Sequence, residues 1–148
     1  MSQMPGHKIV LKYQNGKIIK GWVDNFNPNR EIFFLHPLKE YSGSEKLDIK
    51  VKELKAIFFV KDFIGNSDYK KGRSFEHFNY DTPSQRPVIV YFKDGEKLYG
   101  TTYNYNPTRT GFFVYPVDRE DNNIRIFAIN SAVEKVEFPD SSDEGYNF

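Results

Sequence analysis

The chain contains no cysteine, which excludes disulfide staples and thiolate metal sites. Histidine is scarce as well: His7, His36 and His77 lie far apart, with no metal-ligand spacing between them. No serine sits in a nucleophile elbow, and no glycine-rich phosphate loop precedes a helical pattern. No catalytic residue, metal site or cofactor is therefore assigned, and the protein is read as a non-enzyme. Long hydrophobic runs are missing: the longest, Ala56 to Val60, is far too short to span a bilayer, and Met1 to Lys8 lacks the apolar stretch of a signal peptide. A soluble, cytoplasmic protein with no membrane partner is expected. Nor does charge of one sign dominate. The net charge is +1, divided as +4 over residues 7–66 and −1 over residues 86–140. Dedicated nucleic-acid binders usually carry a strong basic excess, because phosphate neutralisation supplies most of their affinity.

What the chain has in quantity is aromatic side chains, 14 Phe and 10 Tyr among 148 residues, and an internal repeat. Residues 8–38 align without a gap on residues 87–117, pairing Gly16 with Gly95, Gly21 with Gly100 and Asn27-Pro28 with Asn106-Pro107. The same offset pairs Arg30 with Arg109, Phe33-Phe34 with Phe112-Phe113 and Pro37 with Pro116. The match resumes at Leu54/Val133, Ile57/Val136 and Phe59/Phe138. Units of this size are near the lower limit for independent folding, so they need dense cores or each other.

Each copy opens with alternating apolar residues before Asn15-Gly16 or Asp94-Gly95, a β-hairpin signal in which both turn residues tolerate positive φ. Gly21 and Gly100 interrupt the second strand, as at a sharp bend or a close backbone approach. Asn-Pro-x-Arg then forces a loop, and a third strand ends at Pro37 or Pro116. A fourth strand, a single turn and a fifth strand complete each copy. The predicted fold is all-β: two tandem five-stranded SH3-like/Sm-like small barrels, at residues 7–66 and 86–140. Residues 67–85, with Phe75, Phe78 and Tyr80, form a linker expected to pack on the barrels, and residues 141–148 form an acidic tail.

Ile19-Lys20-Gly21-Trp22-Val23 and Leu98-Tyr99-Gly100-Thr101-Thr102 resemble the first motif of the Sm and Sm-like RNA-binding barrels. That resemblance implies the fold and not the RNA chemistry. Asn27 and Asn106 stand where the family has a carboxylate, and its Arg-Gly second motif is missing. Gly111-Phe112-Phe113-Val114-Tyr115-Pro116-Val117-Asp118, Asn122-Asn123-Ile124-Arg125 and Ala132-Val133-Glu134-Lys135-Val136 are similar to an uncharacterised family of bacterial domains. Leu54 to Phe63 carries the companion signature. This second resemblance spans nearly the whole chain and implies an accessory module of bacterial regulatory proteins.

Three groups of residues are candidates for binding. The Asn-Pro-x-Arg loops, with Asn27, Arg30, Asn106 and Arg109, and the cluster Asn122, Asn123 and Arg125 could hold a phosphate or carboxylate, although Asn before Pro is also ordinary turn chemistry. The two stretches by which the PilZ barrels bind a cyclic dinucleotide are absent. Strand alternation turns Tyr91, Tyr99 and Tyr103 outward where the first copy has Lys12, Lys20 and Asp24, giving a face for a partner or for the sister barrel. Protein–protein interaction is the expected function, and nucleic-acid or nucleotide binding through the polar loops is the alternative.

Overall fold

The computed structural model describes residues 6–38, 46–64, 85–118 and 120–139. The expected linker falls outside them except for Gln85, and the expected tail falls outside them entirely. The first copy supplies β1 (His7–Tyr13), β2 (Ile18–Val23), β3 (Ile32–Pro37), β4 (Leu47–Lys50) and β5 (Leu54–Val60). The second supplies β6 (Arg86–Phe92), β7 (Lys97–Thr102), β8 (Gly111–Pro116), β9 (Asn123–Ile129) and β10 (Val133–Glu137). Single 3-10 turns, Val51–Glu53 and Asn130–Ala132, precede β5 and β10. The fold is all-β, and the sequence offset that carries Gly16 to Gly95 brings every element of one copy onto an element of the same type in the other.

The strands do not form two tandem closed barrels. They make one antiparallel sheet in the order β10-β6-β7-β8-β9-β5-β1-β2-β3-β4, joined across the copies by β5 and β9. The reason lies in those two strands, which are apolar on both faces. All seven residues of β5 are buried: Leu54, Ile57 and Phe59 enter one core, and Ala56, Phe58 and Val60 enter the other. In β9, Phe127 and Ile129 enter the first core while Ile126 and Ala128 enter the second. A strand that closed a separate small barrel would keep one wet, polar face; these two are central strands that need cover on both sides.

The first core draws Ile9, Leu11, Ile19, Val23, Phe33, Leu35 and Ile49 from the other four strands of copy one, so the sheet curls around it. Gly21 permits that curl. A Cβ there would stand 2.4 Å from the His36 carbonyl oxygen, and at Gly100 it would stand 2.5 Å from that of Tyr115. In the hairpins only the glycines, Gly16 and Gly95, take positive φ, contrary to the expectation for Asn15 and Asp94. Gly16 N–H donates to Tyr13 O and Tyr13 N–H to Lys17 O, a three-residue loop with a glycine bulge instead of a two-residue turn. Asn15 and Asp94 serve as acceptors, taking the N–H of Lys17 and Glu96 on their side-chain oxygens.

Candidate interaction surfaces

Chemistry concentrates where the copies meet. Lys55, the one charged residue of β5, is 8% exposed and reaches across to the second copy's hairpin, where its ammonium pairs with Asp94 at 2.6 Å and with Glu96. Burial by itself would depress the Lys55 ammonium, but the bonds to Asp94 and Glu96 outweigh it, and the net displacement is upward. The Asp94 carboxyl is held below its ordinary value by the Lys55 bond and by the Glu96 N–H. In the same small pocket, which Gln14 lines together with Lys55 and Asp94, Gln14 Nε2 donates to Ser131 Oγ at 3.0 Å. Sequence reasoning passed over Lys55, although a lysine inside an otherwise apolar strand is a signal that a buried partner is needed.

The polar clusters are largely occupied by the fold. Asn122 clamps the end of β5: its Nδ2 donates to Asp62 O at 2.9 Å and its Oδ1 accepts from Asp62 N at 3.1 Å. Asn123 opens β9 opposite Val60. The Arg125 guanidinium carbon sits over the rings of Phe59 and Phe113, 4.4 and 4.6 Å from their centroids. In the Asn-Pro-x-Arg loops, Asn27 Oδ1 accepts from Asn29 N and Asn106 Oδ1 accepts from Thr108 N, so both asparagines close turns. The arginines differ. Arg109 Nη1 reaches Asn29 Oδ1 of the other copy at 3.4 Å, whereas Arg30 is exposed and makes no such contact among the described residues. The two loops thus converge beside a cleft of about 270 Å³ lined by Glu31, Lys52, Arg109, Thr110, Asn130 and Ser131.

The three tyrosines lie away from this joint, on β6, on β7 and just beyond β7. Tyr91 is half-buried, donates its hydroxyl to Glu137 at 2.6 Å and is flanked by the ammonium groups of Lys97 and Lys135. Tyr99 is half-buried beside Ile89, which is itself buried. Tyr103 is 43% exposed and meets Tyr115 edge-on at 5.6 Å, a neighbour that strand alternation had not supplied. Among the described residues no group of His, Cys, Asp and Glu could hold a metal ion, and no helix is long and apolar enough to cross a membrane.

A duplicated five-strand unit fused edge to edge into one antiparallel sheet defines the class of this protein. The chain belongs to the family of unknown function DUF6982, whose model matches residues 6–138 and so takes in both copies. No curated protein and no solved structure matches it.

Proposed function

We propose that the chain is a non-enzymatic binding module that works by protein–protein contact. Tyr103 carries this reading. Backed by half-buried Tyr115, its exposed ring stands just beyond β7, where the first copy has Asp24 and His36, hydrogen-bonded to each other at 3.1 Å. Tyrosines held in one place supply contact area at small entropic cost, and they are enriched at protein interfaces. Tyr99 lies on β7, the strand that Tyr103 follows, and Tyr91 on the neighbouring β6. The motif resemblance supports a bacterial regulatory setting, and the strand order within each copy, 5-1-2-3-4 with a glycine-bent second strand, supports kinship with the SH3-like and Sm-like barrels.

Placing a photoreactive residue at Tyr103 in the cell of origin tests the proposal. A discrete protein adduct at that position, absent when the probe stands at exposed Lys17, is the expected result. A second reading has one observation in its favour, the meeting of both Asn-Pro-x-Arg loops at the cleft, which would suit a nucleotide or nucleic-acid phosphate. Salt-dependent binding of RNA or a cyclic nucleotide, lost in Arg109→Gln, with no adduct at Tyr103, would establish that reading instead.

A further inference from the structure

The joint between the copies leaves its own two halves unused at the ends of the sheet. Copy one contributes its fifth strand, β5, and copy two its fourth, β9; what remain at the edges are the fifth strand of copy two, β10, and the fourth strand of copy one, β4. We propose that copies of this chain associate head to tail, β10 of one molecule pairing antiparallel with β4 of the next in the register of the internal joint. This goes beyond the partner-binding reading, since it uses the sheet edges and not Tyr103, and either can fail while the other stands.

The repeat offset converts each contact of the internal joint into a forecast for the external one. Ala56↔Ala128, Ile57↔Phe127, Phe58↔Ile126 and Phe59↔Arg125 become Lys135↔Ile49, Val136↔Asp48, Glu137↔Leu47 and Phe138↔Lys46. One residue further along, Glu134 falls opposite Lys50, and no like charges face each other directly. The Lys55–Glu96 ion pair becomes Glu134 with Lys17, its sign reversed and its attraction kept. Arg109 on Asn29 becomes Arg30 on Thr108, which gives exposed Arg30 a hydroxyl acceptor. Arg125 between Phe59 and Phe113 becomes Lys46 between Phe138 and Phe34, and the Lys46 ammonium already lies 4.7 Å from the Phe34 ring centroid.

Phe34 is the plainest sign of a missing neighbour. It is 51% exposed, with Ile32 beside it at 47%, whereas its equivalent Phe113 packs against Phe26, Phe59 and Phe127 of the joint. The edges also complement each other in charge. Glu134, Lys135 and Glu137 give β10 one net negative charge, and Lys46, Asp48 and Lys50 give the β4 edge one net positive. Because charged side chains replace Ala56, Phe58, Phe127 and Ile129, the external joint is weaker than the internal one and sensitive to salt. A heterologous joint of this kind builds rings or filaments.

Sedimentation equilibrium of the full chain tests the proposal, with Phe34→Asp as the variant and its melting temperature as the check on folding. At about 100 μM and low ionic strength the average mass should rise above the 17.4 kDa of one chain. It should fall back in high salt, and Phe34→Asp should weaken association by about tenfold or more while melting as the parent does. The cysteine-free background then reads the register: mixed Glu134→Cys and Lys50→Cys molecules should form a disulfide-linked pair, and Glu134→Cys with Lys46→Cys should not. A chain that stays monomeric throughout, one whose association ignores Phe34→Asp, or cross-linking without register preference would overturn the proposal.

Discussion

At the scale of single residues, the positions that matter most are those where a small or charged side chain stands in an apolar strand. Gly21 and Gly100 let the backbone of the next strand approach closely, and any Cβ there must push a carbonyl away. Gly21→Ala and Gly100→Ala are each expected to cost about 1–3 kcal/mol, measured as a lower urea midpoint with an unchanged slope. Lys55 makes the joint dependent on pH. Asp94, with its carboxyl depressed in the folded protein, contributes fully above the ordinary carboxyl range and loses that contribution as pH falls through the depressed value. The Lys55 ammonium, displaced upward, contributes below its ordinary value of 10.5 and loses that contribution as pH rises through the raised one. Melting temperatures recorded from about pH 2 to 11 should therefore fall at both extremes in the parent, and both falls should be shallower in Lys55→Met.

At the scale of elements, the ten strands were legible because each copy repeats the same alternation and the same turn signals. Asn15-Gly16 and Asp94-Gly95 marked the hairpins, and Pro37 and Pro116 marked the ends of β3 and β8. The edge-to-edge joint was not foreseen, although the run from Ala56 to Val60 held a hint of it. Five consecutive apolar residues describe a strand covered on both faces, but periodicity does not say what provides the second cover. The same limit applied to Asn122 and Arg125. Their residue types fit anion binding, and only the position of β5 reveals that one clamps Asp62 and the other covers Phe59. Phe58 makes the resulting dependence measurable, since it belongs to copy one by sequence and to the core of copy two by packing. Phe58→Ala is expected to cost about 3–5 kcal/mol. It should reduce hydrogen-exchange protection in β6 and β8 as well as in β5; loss confined to β1 and β5 would show that each copy keeps a core of its own.

At the scale of the whole molecule, the two copies are halves of one sheet, and their shared strands do for two small units what a larger core does for one domain. Phe26 shows the coupling in one side chain: its ring meets Phe33 and Phe59 of its own copy and Phe113 and Phe127 of the other, at centroid distances of 5.1 to 6.1 Å. Neither half can leave without uncovering the other. The most direct measurement is calorimetric unfolding of the intact chain at neutral pH and low protein concentration. A single transition whose calorimetric and van't Hoff enthalpies agree is the predicted result. Two separable transitions, each carrying about half of the total enthalpy, would contradict it and return the chain to a pair of independent domains.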